Sequence, residues 1–336
     1  LKIMINREFS SQIASYLLMA LALWLVLTHG LLAALLSGML VYSLVTIFSP
    51  RLYMRFGDTN SRLIIVSILG TIIVTALVML IWSGIAFFKS EQGSAEALLQ
   101  KLADIIDASR HQCPEWICAN IPDSAHELRV VLTEWLREHA GYAKILGADA
   151  GHTIVRVIIG MIVGAMVSLY SVPKNLGVLG LAIVQRIGCL TDAFKKIVFA
   201  QVKISTINAI ATGAYIMLFL PLVGINLPLA KTLVFLTFIL GMMPIIGNLM
   251  SNTMLVIITL PFGLMASLGS LLFLVVLHKL EYFLNAKIIG TEIKSNAWEL
   301  LIAAIAMESV FGLPGVVMAP ILYAYIKHEL IRAKLI

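Results

Sequence analysis

The sequence predicts an all-α polytopic membrane protein with about six full transmembrane helices, two broken or re-entrant helical hairpins and a small extracytoplasmic helical insert. Three observations carry that prediction. Hydrophobic residues make up 60% of the chain and charged residues 12%, against roughly 25% charged in a soluble domain, and the mean hydropathy is +0.98. The apolar residues gather in runs near the ~20 residues needed to cross a bilayer. Two further apolar runs carry Gly and Pro at their centres, where a plain span has no water to repair the lost backbone hydrogen bonds.

The first two runs, Ile13 to Thr28 and Leu31 to Phe48, are joined only by His29 and Gly30, which predicts a tight antiparallel hairpin. A third run, Leu63 to Phe88, completes a scaffold in residues 1–88. No small-residue cleavage site follows the first run, so it is expected to stay in the membrane. Leu1 is not methionine, and Met4 is a candidate start. Residues 89–152 form the long polar region. There Ala97, Leu98, Leu102, Ile105 and Ile106 recur at helical spacing, and Ser124 with Glu127 reads as a capping box before Leu128, Val131, Leu132, Trp135 and Leu136. A fourth run, Thr153 to Tyr170, leads into a basic amphipathic connector ending near residue 203. Residues 204–336 hold the fifth run, Ile204 to Val223, the sixth, Phe262 to Phe283, and the two broken stretches. Leu229 to Leu260 splits at "PIIGN" into arms of about 12 to 15 residues; Trp298 to Ile326 splits at "FGLPG" into arms of about 11 to 13, all too short to cross.

The net charge of +6 is distributed as short basic clusters between apolar runs, which fits membrane orientation and excludes an interleaved nucleic-acid face. Lys2, Arg7, Arg51, Arg55, Arg62, Lys174, Arg186, Lys195, Lys196 and Lys203 mark the cytoplasmic side, with both termini, while the acidic 89–152 region faces outward. The positive-inside rule then favours hairpins over full crossings, since Lys279, Lys287 and Lys294 stay inside; Arg156 breaks the pattern. Cys113 and Cys118 in the outer region are candidates for a local disulfide, and Cys189 reads as reduced.

Walker A, G-x-G-x-x-G, H-E-x-x-H and G-x-S-x-G patterns are absent, and the seven histidines lack ligand spacing. An enzyme, a metal site and a cofactor are therefore not expected. What remains is polar material in apolar runs. Glu308 lies just before the second break, where a carboxylate is costly; it is read either as a proton-coupling group or as one paired with a base or with freed amides. Lys279 and Glu281, with His278 and Asn285, read as local pairing at the end of the sixth run. Gln201 and Asn208, seven apart, share a helix face, with an interhelical hydrogen bond as the ordinary explanation and solute contact as the other. Gly160 and Gly164 permit close helix packing. Two breaks in half-length segments point to a transport site at mid-depth: the first offers Pro244, Gly247 and Asn248, the second Gly312, Pro314 and Gly315 with Glu308.

On these residues the chain resembles the autoinducer-2 exporter family of bacterial permeases over nearly its whole length. "FAQVKISTINAIATG" resembles the Gln-containing stretch entering the fifth span, at Gln201, Asn208 and Gly213; "GMMPIIGN" the Pro-x-x-Gly element at Pro244 and Gly247. "LEYFLNAKIIGTEI" resembles the segment ending in Ile289 and Gly290, and "FGLPGVVMAPIL" the terminal element with Gly312, Gly315 and Pro320. Ala286, Asn248 and Glu308 depart from the family pattern. The resemblance implies an inner-membrane secondary transporter, moving in an elevator-like manner. Its cargo would be a small hydrophilic signal exported, or sodium or lithium exchanged for protons as in an antiporter. It also implies a homo-oligomer, with a pentamer favoured. The alternative from another class is a non-transporting membrane scaffold or regulator acting through residues 89–152, and an intramembrane enzyme comes third.

Overall fold

In the computed structural model the structure describes residues 2–89, 130, 134, 140–170, 172–173, 175–227, 230–242, 246–259, 262–293 and 295–335. The cysteine pair Cys113 and Cys118, the expected capping box at Ser124 and Glu127, and Pro244 lie outside them. The described residues are helical without strand, as a chain whose backbone must satisfy its own hydrogen bonds in lipid requires. In order the helices are α1 (Lys2–Thr28), α2 (Leu32–Phe56), α3 (Asp58–Lys89), α4 (Ala140–Leu169) and α5 (Val178–Ala214). They are followed by α6 (Ala230–Gly241), α7 (Ile246–Thr259), α8 (Leu264–Ile293), α9 (Ala297–Phe311) and α10 (Leu313–Arg332). Helix α5 runs into a π-helical turn, Tyr215–Phe219, and a last turn at Leu220–Leu222.

Among the described residues four segments are long and apolar enough to cross a membrane: Phe9–Thr28, Leu32–Pro50, Gly151–Leu169 and Val178–Leu222. The last has 45 residues, roughly 67 Å at 1.5 Å per residue and more than twice the ~30 Å hydrocarbon core, so only part of it crosses. The expected connector and fifth span are one continuous helix. Lys195, Lys196 and Lys203 are good helix formers with no breaker among them, so charge marks a face of α5 and not its end.

Two compact units divide the chain: residues 1–72, 149–200 and 285–336, and residues 73–148 and 201–284. In the first, α1 closes on Gly30 at φ +66°, with the Leu31 amide bonded to the Val26 carbonyl, a Schellman turn. Arg156, the exception to the charge pattern, donates to the Gly30 carbonyl at 3.0 Å. Helices α2 and α4 touch through backbone: a methyl group on Gly160 or Gly164 would overlap the Ala34 or Gly38 carbonyl. Ser37 Oγ donates to the Val157 carbonyl at 3.0 Å across the same contact. Around it pack Val41, Val45 and Ile65, with Met161 and Ala165.

Helices α9 and α10 form the second broken stretch. Gly312 at φ +62°, ψ −146° is in a region essentially reserved for glycine, and Gly315 presses against the Met307 carbonyl with no room for a side chain. The arms have 15 and 20 residues, longer than the 11 to 13 expected. Hydropathy stops at Ile326, but the helix continues because its next polar residues are paired: Lys327 with Glu299 and Glu329 with Arg186.

The second unit has its core around Tyr215, Ile216, Leu220, Leu233, Leu255, Leu274 and Leu277. Tyr215 stacks on Phe273 with centroids 4.0 Å apart and shares a hydrogen bond with Ser270 at 3.1 Å. Helices α6 and α7, 12 and 14 residues, are roughly 18 and 21 Å long and too short to cross singly.

Candidate functional site: a polar seam on α5

Positions 201, 205, 208 and 212 advance by four, three and four residues and so share one face of α5. All four carry polar side chains, Gln201, Ser205, Asn208 and Thr212, and all four are buried. This face meets the end of α6. A helix leaves its last four carbonyls without helical donors, and the break after Gly241 exposes those of Phe238 to Gly241. Helix α5 supplies two of the missing donors: Gln201 Nε2 donates to the Gly241 carbonyl at 2.8 Å, and Ser205 Oγ to the Phe238 carbonyl. Gly241 is required there, since a methyl group would lie 2.8 Å from Ser205 Oγ. At the start of α7, Gly247 is buried against the Leu240 carbonyl, which a side chain would overlap. The two arms are thus held backbone to backbone.

The chemistry changes one turn further along α5. Asn208 Oδ1 and Thr212 Oγ1 are buried and have no hydrogen-bond partner among the described residues, and a buried polar oxygen without a partner costs about 1–3 kcal/mol. Thr212 borders a cavity of about 10 Å³ whose wall also includes Thr237, Ser251, Leu233 and Met254. That is near the smallest volume that holds one water. Thr237 and Ser251, on α6 and α7, share a hydrogen bond at 2.8 Å across the cavity wall, and Thr237 also donates to the Leu233 carbonyl. Directly after Thr212 the helix loosens into the π turn at Tyr215, a departure frequent at functional sites. The seam is neutral: amides, hydroxyls and carbonyls, with no carboxylate or ammonium among its described members.

The residues singled out from sequence divide accordingly. Gln201, Asn208 and Gly247 belong to the seam. Asn248 occupies the third position of α7. Gly312, Pro314 and Gly315 form the second break in the other unit, with Pro314 half-buried. Glu308 is exposed on α9 and forms no ion pair among the described residues. Lys279 is exposed, His278 Nδ1 lies 4.0 Å from Glu281 Oε2, and Gly290 is buried with the Ser295 amide bonded to its carbonyl. Ser205, Thr212, Thr237 and Ser251 were not singled out. The spacing from 201 to 212 is legible in the sequence; the meeting of Thr237 and Ser251 depends on the fold of the break.

A second polar cluster, in the first unit, is charged. Arg186 and Glu329 are each 4% exposed and paired, Arg186 also donates to Gln12 Oε1, and its guanidinium lies 3.8 Å above the Tyr16 ring. Tyr16 donates to the same Glu329 oxygen at 3.3 Å. Arg186 therefore ties α1, α5 and α10 together. In the same half of α10, Tyr323 and, at 2.9 Å, Lys327 donate to Glu299, which also closes a capping box with Asn296. Glu299 lies in the first turn of α9, outside the four crossing segments. The Tyr323 hydroxyl and then the Lys327 ammonium hold its carboxyl down at about 2. No group of three or more metal-ligating side chains occurs among the described residues.

No protein-family model, no characterised protein and no solved structure matches this chain.

Proposed function

We propose that the chain is a secondary transporter for a small hydrophilic solute or a monovalent cation, of the autoinducer-2 exporter kind, and that the α5 seam beside the first break is part of its path. One observation supports this above the rest: two oxygens one helical turn apart, on Asn208 and Thr212, are buried without a hydrogen-bond partner among the described residues, and Thr212 borders a cavity near the smallest volume that holds one water. A chain stabilised only for packing gains from replacing such groups with apolar ones. Retaining them fits a site whose partners arrive with the cargo. The break itself is kept intact by Gln201 and Ser205, so the cargo is not needed to satisfy it. On this reading α6–α7 and α9–α10 are re-entrant hairpins, and Glu308 is the candidate for proton coupling.

The test is flux in proteoliposomes made with the purified chain, for lithium, sodium and small polar solutes. Asn208→Leu and Thr212→Val are expected to abolish flux while the protein remains monodisperse and helical. Flux equal to wild type in both variants would remove the seam from the path. Glu308→Gln is expected to remove the pH dependence of flux; unchanged pH dependence would exclude Glu308 from coupling.

A further inference from the structure

The first unit contains a crevice of about 800 Å³. Leu35 and Met39 of α2 and Val163 and Val167 of α4 make its walls, and α5 makes the remaining side. The tight glycine contact explains its floor: Gly38, Gly160 and Gly164 are pressed together and carry no side chain into the crevice. Because Ala34 meets Gly160 and Gly38 meets Gly164, the two helices advance in the same direction. The lining runs from Leu31 to Tyr42 along one and from Ile159 to Tyr170 along the other, each including one residue just beyond the helix and each eleven steps long. At 1.5 Å per residue the trough is roughly 16 Å long, about half of a ~30 Å hydrocarbon core. It is as long as one leaflet.

On the α5 side Gly188 faces open space, where an added Cβ meets nothing within 4 Å. One and two turns on come Asp192 and Lys195, the only charged groups of the lining among the described residues. They are three apart on the helix, of opposite sign, and neither has an ion-pair partner among the described residues. The Thr191 hydroxyl beside them is committed to the Ile187 carbonyl. An apolar trough one leaflet long with one free anion and one free cation at its border matches an amphiphile that carries both charges on its polar end.

We propose that this crevice binds a phospholipid with a zwitterionic, primary-amine headgroup. The acyl chain lies in the trough, the phosphate accepts from the Lys195 ammonium, and the amine donates to the Asp192 carboxylate. Acyl packing alone does not select a lipid, because lipid tails are as apolar as the helices. Selection comes from the headgroup, and one charge-assisted hydrogen bond corresponds to about tenfold or more in affinity. This inference is independent of the transport reading.

The test is native mass spectrometry of the full-length chain, stripped with detergent and then exposed to an equimolar mixture of phosphatidylethanolamine, phosphatidylcholine and phosphatidylglycerol. The expected result is one phosphatidylethanolamine adduct per chain, favoured about tenfold over the other two. Asp192→Asn is expected to remove the preference over phosphatidylcholine while leaving some adduct. Gly188→Phe, whose Cβ starts in open space and whose ring would occupy the trough, is expected to remove the adduct while helicity and monodispersity are kept. Equal adducts of all three lipids in the wild type, or an unchanged preference in Asp192→Asn, would overturn the headgroup assignment. A wild-type adduct on folded Gly188→Phe, or a lipid-free dimer in place of any adduct, would overturn the site.

Discussion

The Arg186 cluster of the first unit and the α5 seam of the second solve the same problem in opposite ways. Both place polar side chains in surroundings where each unsatisfied group costs several times its ordinary price in water. The first cluster uses full charges and links them: Arg186 bonds Glu329 and Gln12 and covers Tyr16, and Glu329 takes a second donor. The second uses neutral groups, satisfies those at the helix break, and leaves the oxygens of two side chains open, where the first leaves only the second oxygen of the already paired Glu329. A charge left unpaired in an apolar interior is far more costly than an unpaired hydroxyl. Charge therefore suits a fixed joint between α1, α5 and α10, and neutrality suits a place where partners come and go.

The comparison breaks first at the charged joint. Removing one partner of a buried pair typically destabilises by 3–5 kcal/mol, roughly, because the other charge is stranded. Glu329→Ala and Arg186→Ala are each expected to lose about that much, whereas the double substitution Arg186→Met with Glu329→Leu is expected to come close to neutral. Denaturant or thermal unfolding in one detergent measures all three. If the single variants match the wild type, the joint is not a structural one. Next comes the backbone contact at the first break. Gly247→Val must push α7 away from the Leu240 carbonyl, at about 1–3 kcal/mol for an overpacked core position. Unfolding of the variant within about 0.5 kcal/mol of wild type would show that the arms are not pressed together there.

How much of this was legible beforehand follows from the range of the forces involved. The paired first helices, the breaks and the glycine seam of α4 are local features: hydropathy runs, Pro and Gly, and a four-residue repeat carry them. The length of α10 was not legible, because a count of apolar residues ends at Ile326 while pairing partners far off in sequence, Glu299 and Arg186, let the helix carry Lys327 and Glu329 onward. The same holds for Arg186. In the sequence it is one more positive charge after the fourth run; only the return of α1 and α10 to α5 turns it into a joint. Within the seam, Gln201 and Asn208 stood out as amide side chains in an apolar run. Ser205, Thr212, Thr237 and Ser251 did not, since small hydroxyl residues are common in membrane helices and usually bond their own backbone, as Thr237 also does.

A smaller effect sharpens the neutral side of the comparison. Thr237→Val removes the hydroxyl shared with Ser251 at the cavity wall, and the loss of one such bond is about 0.5–1.5 kcal/mol. The seam contains no carboxylate among its described members, so this loss is expected to be the same at pH 7 and pH 5. Urea unfolding at the two values checks it; a difference that grows at the lower pH would mean that a titrating group takes part in the seam.

The smallest effect is at the half-buried clasp of the second hairpin, and its sign is fixed by the direction of the shift. Glu299 is held at about 2 from an ordinary 4.5 by Tyr323, Lys327 and the Asn296 cap. A carboxyl depressed in the folded state binds fewer protons there than in the unfolded chain, so the stability it contributes is fully present above about 4.5 and is lost as the pH falls toward 2. Protection of the amides in the first turn of α9, the intrinsic exchange rate at each pH divided by the observed one, is therefore expected to fall progressively through that window in the wild type. In Glu299→Gln the same amides are expected to exchange faster already at pH 7, and their protection is expected to change little as acid is added, because the group that titrates is gone. Parallel pH profiles for the two proteins would mean that Glu299 is not what holds α9 to α10, and that the charged contacts of the first unit are fewer than the structure draws.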